Sequence, residues 1–146
     1  MILPIIKYPN EILRQKAKEV ENPKSREIAS LVLDMLETME KNDNALGLAA
    51  TQVGALVRLC IIKFNGKIYV LINPKIKSKS WKKEVKEEGC LSFPGKFIFI
   101  KRPKKITVEA LDKNGNKIII KAEGLLARAF FHEIDHLDGI LFIDRI

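Results

Sequence analysis

The stretch Phe130-Phe131-His132-Glu133-Ile134-Asp135-His136-Leu137-Asp138-Gly139 holds the only two histidines of the chain, spaced as His-Glu-x-x-His. At 3.6 residues per turn, positions four apart on an α-helix lie one above the other. Two imidazoles so placed can grip one metal ion, with the intervening glutamate beside the water that the ion binds. Average residue usage puts a chance occurrence in so short a chain at about one in a hundred or less.

Leu126, Phe130, Ile134 and Leu137 recur at spacings of four, four and three, which makes one apolar stripe on the same helix. That stripe should face the core and the histidines a neighbouring cleft. Leu125 to Ala129 are good helix formers, Gly124 marks the expected start, and Gly139 reads as a glycine C-cap.

Upstream, a second and longer helix is expected from roughly Ser25 to Lys41. There Ile28, Leu31, Val32, Met35, Leu36 and Met39 share a face, and the methionines read as core filler. Asn10 reads as the N-cap of a short turn, Glu11 to Arg14. Ala45 to Gly54 is a run of small residues that lets backbone approach backbone or ligand. Leu56 to Phe64 and Lys67 to Asn73, joined by Asn65-Gly66, read as a tight hairpin. Further strands are expected at Pro74–Ser78, Lys82–Glu87, Phe97–Ile100, Lys104–Leu111 and Lys117–Ala122. Lys113-Asn114-Gly115-Asn116 is a second hairpin turn, and Ile140 to Ile143 should return to the sheet. Strands flanked by two helices, with no linker or repeat, predict one α+β domain over residues 1–146. In it, mostly antiparallel strands pack around the C-terminal metal-binding helix.

Two histidines leave a metal site incomplete. Downstream of His136 there is no histidine, glutamate or cysteine, only Asp138 and Asp144, which weighs against peptidases whose third ligand follows this motif. Upstream, Glu87-Glu88-Gly89-Cys90-Leu91-Ser92 offers a thiol between two expected strands. A cysteine with two histidines makes a mixed sulfur and nitrogen site for a borderline-soft divalent ion.

Three segments carry a resemblance to the peptide deformylase family, in the family's order: Leu46 to Gln52, Glu88 to Ser92, and His132 to His136. The likeness runs from Ile5-Ile6-Lys7-Tyr8-Pro9 to Leu141-Phe142-Ile143-Asp144. It implies removal of the formyl group from the N-terminal formyl-methionine of new polypeptides, by attack of metal-bound water or hydroxide on the formyl carbon. Carried over by residue, Cys90, His132 and His136 bind one divalent metal, with Fe(II) expected natively and Zn(II), Ni(II) or Co(II) also suited. Glu133 is the general base and acid. Gln52 and the backbone N–H of Leu91 hold the developing oxyanion, and Leu46, Gly47 and Gly89 lend backbone groups to an extended peptide. The resemblance also implies a monomer working near the ribosome on N-formyl-methionyl nascent peptides.

The chain departs from the family pattern at three places. Ala45 stands where the family has its first glycine, so a negative φ or some strain is expected. Phe131 replaces the glutamine before His132. Arg128, one turn before His132, lies where the family lines its methionine pocket with apolar groups. Its methylenes are expected to line that pocket and its charge to reach water at the rim, the alternative being that it swings out to meet a carboxylate such as Glu87. Glu88 needs a cation if it is buried, and Arg102 is the candidate.

Composition is that of a soluble globular chain. The apolar start is short and interrupted by Pro4, so neither a signal peptide nor a membrane span is expected and the cytoplasm is the default. In that compartment Cys60 and Cys90 should stay unpaired, with Cys60 a buried small hydrophobe. A formal net charge of +8 favours polyanions such as RNA. The lysines gather only around Lys75–Lys86 and Lys101–Lys105, however, and carry no specific nucleic-acid signature. Two other classes stay open: a small metallopeptidase, and a basic non-catalytic homologue at the nascent-chain exit.

Overall fold

The computed structural model describes residues 1–42 and 44–146. Its centre is a five-stranded antiparallel sheet of order β1-β2-β3-β6-β7, built from Gly47–Ala49, Leu59–Phe64, Lys67–Lys79, Lys105–Leu111 and Lys117–Glu123. One helix packs on each face. α1, Arg26–Glu40, starts at Ser25, whose hydroxyl accepts from Ile28 N at 3.2 Å. Its Ile28, Val32, Met35 and Met39 meet Leu48, Leu59, Ile61 and Ile72. α2, Gly124–Leu137, puts Ala127, Phe130, Ile134 and Leu137 against Cys60, Ile62, Leu71 and Val108. Leu59 and Ile61 of β2 therefore point to one helix, and Cys60 and Ile62 to the other. That period-2 alternation leaves a strand buried on both faces.

β4, Lys83–Cys90, and β5, Phe93–Pro103, form a separate two-stranded ribbon. Opposite pairs Glu84↔Arg102, Lys86↔Ile100 and Glu88↔Ile98 put one side-chain set toward α2; Val85, Glu87, Phe97 and Phe99 stand on the other face. Among the described residues, no helix is long and apolar enough to cross a membrane.

Several boundaries differ from the sequence reading. The ribbon strands are longer than expected because a two-stranded ribbon with one solvated face tolerates charge at most positions. The segments around Asn73-Pro74 are one strand, β3, interrupted by a bulge. Asn73 takes a left-handed φ of 52°, which its short side chain tolerates. That side chain accepts from Val20 N at 2.8 Å and donates to Val20 O at 3.0 Å, so the bulge ties the N-terminal segment to the sheet. The small-residue run becomes β1 and a 3-10 turn, Ala50–Val53. Ala45 is not among the residues with positive φ.

The expected return of Ile140–Ile143 to the sheet does not occur. Gly139, at φ 73°, ends α2, and Phe142–Arg145 turn as a 3-10 helix with Leu141 N donating to Asp144 at 2.9 Å. Leu141 and Phe142 are buried with Leu13 and Phe93, so a local pocket satisfies apolar groups that alternation alone assigned to a strand.

Candidate active site

A cleft of about 520 Å³ opens between β1, the β4–β5 ribbon and α2; its lining includes Gly47, Gln52, Cys90, Leu91, His132 and Glu133. Leu46 and Gly89 also line it. Every residue singled out for the site lines this cleft apart from His136, which is buried with its Nε2 3.4 Å from Cys90 Sγ. α2 supplies both histidines and Glu133. A register shift between Gly89 and Cys90 at the end of β4 re-aims the thiol, a common use of a bulge.

Single donor atoms of Cys90, His132 and His136 all lie within 4.8 Å of one another, and Cys90 Sγ is 3.4 Å from His136 Nε2. A tetrahedral ion at ordinary bond lengths sets sulfur and nitrogen ligands roughly 3.5 Å apart. His132 Nδ1 engages Glu88 Oε1 at 2.9 Å, so its other nitrogen is left for the cluster. Burial disfavours an imidazolium at His132, but Glu133, Cys90 and Glu88 outweigh it and hold the pKa up at about 10. The site thus calls for a positive charge at that nitrogen, which a proton or a metal cation supplies. Burial, His132 and Arg102 push His136 well below its ordinary value, leaving a neutral imidazole fit to ligate. These residues suit a divalent ion.

Glu133 lies beside the donors, and burial raises its pKa to about 7. Among the described residues, Glu133 Oε1 and His136 Nδ1 are the buried side-chain polar atoms without a hydrogen-bond partner. A Cβ on Gly47 would come within 2.7 Å of Glu133 Cγ and Oε2, so the absent side chain is the space the carboxylate occupies. Gln52 is fixed at both ends. Its Oε1 accepts from Ala49 N at 2.9 Å, and its Nε2 donates to Ser92 Oγ at 3.1 Å while lying 3.6 Å from Cys90 Sγ. Cys60 stays outside the cluster as expected, unpaired and buried, with burial pushing its thiol pKa well up.

Behind the ligands runs a buried polar network. Glu88 accepts from Arg102 Nε at 2.6 Å, Arg102 Nη2 at 3.0 Å and Arg128 Nη1 at 2.7 Å, besides His132. The predicted Glu88–Arg102 pair is present. The expectation for Arg128 holds in part: the residue lines the cleft, but its charge does not reach water at the rim. Its guanidinium is buried and turned inward, donating also to the carbonyls of Ile100 and Glu84, each at 2.8 Å. Reaching water is unnecessary once one carboxylate and two carbonyls satisfy the charge and its donors. Asp135, given no role from sequence, accepts from Arg102 Nη1 at 2.9 Å and Arg145 Nη2 at 2.8 Å. Its place between the two histidines was the available signal. Phe131, in place of a polar residue, is buried in the apolar core beneath.

Burial works to raise the pKa of Glu88, but His132 and Arg102 overcome it and bring the value from 4.5 to about 2. A carboxylate whose pKa falls on folding adds stability that is complete above its unfolded value and lost as pH drops through its folded one. Here that window runs from about pH 4.5 down to about 2 and is worth on the order of 3 kcal/mol. The stability gap between the parent and Glu88→Gln, read from urea unfolding, should therefore close as pH falls through that window. A gap independent of pH would show that the carboxylate is not held ionised.

A Cys-His-His donor set beside a buried, unpaired carboxylate, on a sheet flanked by two helices, defines a hydrolytic metalloenzyme. The model of the polypeptide deformylase family matches residues 2–146. Peptide deformylase 2 of Clostridium acetobutylicum is 50% identical over 137 residues, covering 94% of this chain and 90% of its own. The crystal structure of peptide deformylase from Thermotoga maritima superposes with a TM-score of 0.95 at 38% identity, covering 100% of this chain and 98% of that one. A Met-Ala-Ser-bound peptide deformylase from Acinetobacter baumannii gives 0.94 at 32% identity, with 100% and 99% covered. This chain belongs to the polypeptide deformylase family.

Proposed function

We propose that this protein removes the formyl group from the N-terminal formyl-methionine of newly made polypeptides, releasing formate and a free α-amine. The carrying observation is the close triad of Cys90, His132 and His136 beside the unpaired Glu133 in an open cleft. In this reading the triad holds one divalent ion, Fe(II) natively, with Zn(II), Ni(II) or Co(II) able to replace it. Such an ion acidifies the water it binds, so that a nucleophile for the formyl carbon is available near neutral pH.

The remaining roles belong to the chain. Glu133 takes a proton from the attacking water and delivers it to the leaving nitrogen as the C–N bond breaks. A pKa of about 7 suits a group that must accept and then donate. Gln52 Nε2 and Leu91 N–H donate to the formyl oxygen as charge builds there. Because Ala49 N holds Gln52 Oε1, the amide keeps its NH₂ end toward Cys90, where the formyl oxygen replaces the long contact with Sγ at 3.6 Å. β1 pairs with β2 on one side only, and Leu46, Gly47 and Gly89 offer backbone to an extended peptide laid along that free edge. We further place the reaction in the cytoplasm, near the ribosome, on a monomer whose residues 1–146 form one catalytic domain.

The test is formate release from formyl-Met-Ala-Ser, with unformylated Met-Ala-Ser alongside, on protein prepared without oxygen and analysed for metal. One equivalent of formate per formylated peptide and one metal per chain are expected. Peptide-bond cleavage in either substrate points instead to a metallopeptidase. Full metal loading with no formate would end the proposal.

Gly47→Ala supplies a further check. The new Cβ must push Glu133 aside, and a displacement near an ångström at a proton-transfer group costs roughly a hundredfold in rate. kcat should fall by about that factor with metal content unchanged. A variant within a few-fold of the parent would mean that Glu133 has room to spare.

A further inference from the structure

The two lysine-rich segments that stand apart in the sequence come together in the fold, around the chain's only tryptophan. Trp81 sits at the apex of the turn between β3 and β4 and is 100% exposed. The turn is held from behind. Ser80 N donates to Lys105 O at 3.1 Å, Lys104 N to Lys82 O at 2.9 Å, and Lys105 N to Ser80 Oγ at 3.0 Å. Lys83 pairs with Pro103 across the ribbon. Lys79, Lys82 and Lys83 from the turn thus share one end of the molecule with Lys104 and Lys105 from the β5–β6 connection.

Carboxylates are sparse there. Glu123 reaches only Lys105, at 3.9 Å, and Glu84 is half-buried with its carbonyl on Arg128. Among the described residues, Lys79, Lys82, Lys83 and Lys104 have no ion-pair partner. A single exposed aromatic ring is ordinary by itself, but this one stands on a hydrogen-bonded turn among unpaired lysines, and its flat face is free to stack. The unneutralised lysines around it call for a polyanion.

We propose that this turn is a docking surface for RNA with unstacked bases, bound without sequence preference. Trp81 stacks on a base while the lysines neutralise neighbouring phosphates, the combination used by single-strand binders. A lipid surface fits less well. Membrane attachment grows with buried apolar area, and this turn offers one apolar side chain between Ser80 and Lys82. The ribbon carries the turn away from the cleft: β4 spans eight residues from Lys83 to Cys90, roughly 23 Å of extended chain. RNA held at the turn leaves the cleft open, so the proposal stands or falls independently of the reaction assigned there.

Because Trp81 is the only tryptophan, fluorescence excited selectively at tryptophan reports on it alone. The protein is titrated at about 100 mM salt with a single-stranded oligoribonucleotide of about twelve residues, the duplex of the same length, heparin, and vesicles of anionic phospholipid. Quenching by the single strand is expected, with little by the duplex. Anisotropy of labelled RNA should show affinity falling roughly five- to hundredfold in Trp81→Ala and largely recovering in Trp81→Phe. Lys82→Gln/Lys83→Gln should reduce the salt dependence by about two phosphate contacts. Formate release from a short peptide should be unchanged in all three variants, which also shows that they fold. Unchanged RNA affinity in Trp81→Ala overturns the proposal. So does heparin binding as tightly as RNA, which marks a general polyanion surface, or a blue-shifted response to vesicles without one to RNA.

Discussion

Glu133→Gln is expected to retain one metal per chain and to lose roughly a thousandfold in formate release. The amide matches the carboxylate in shape, so the packing against Gly47 is kept. Glu133 is not one of the three clustered donors, so the ligand set is untouched. What disappears is the capacity to hold a proton and pass it on. The carboxylate is well placed for that task, since burial has lifted its pKa to about 7 and no protein group competes for Oε1. The variant should also gain stability, because a buried group whose charged form is penalised becomes neutral. Metal analysis, formate release and urea unfolding together separate the outcomes. Loss of the ion would make Glu133 a ligand, and turnover within tenfold of the parent would assign proton transfer to another group.

The two histidines and Glu133 were legible from local spacing and Cys90 as a candidate thiol, whereas the roles of Cys90, Gln52, Leu91, Leu46, Gly47 and Gly89 came from the resemblance to the family. A four-residue spacing on a helix and a thiol at a strand end survive folding unchanged. Both helices were legible for the same reason: apolar periodicity with Ser25 and Gly139 at their ends. Asn65-Gly66, at φ 50° and 76°, forms the tight turn its residue types demand. What escaped depends on partners distant in sequence. The unity of β3 across Asn73-Pro74 rests on Val20. The inward turn of Arg128 rests on two carbonyls and a carboxylate of the β4–β5 ribbon, none visible from its own helix. The lysine segments looked like dispersed surface charge because only strand pairing brings Lys82 beside Lys104.

Glu88→Gln should be the most damaging change outside the cluster itself, costing about 3–5 kcal/mol of stability and roughly ten- to a hundredfold in metal affinity. The Glu88 carboxylate accepts four hydrogen bonds, three from guanidinium groups and one at His132 Nδ1. An amide in the same volume turns one oxygen into a donor, and whichever end it occupies meets N–H groups pointing at it. Arg102 keeps Asp135, but Arg128 retains only the carbonyls of Ile100 and Glu84, so a buried cation loses its counter-charge. His132 loses the acceptor that fixes which nitrogen faces the donors, and the ligand set loosens with it. These two effects have different origins and can be separated. Adding Arg128→Met to Glu88→Gln removes the stranded cation and should restore much of the stability, as replacement of a whole buried ion pair by apolar groups often does. It should not restore metal affinity, because His132 still lacks its carboxylate. Urea unfolding of the parent, both single variants and the double variant gives the coupling energy, and chelator competition gives the affinity. Recovery of both quantities together would mean that Glu88 acts through packing alone. A single variant as stable and as metal-avid as the parent would mean that this carboxylate neither balances the arginines nor orients His132.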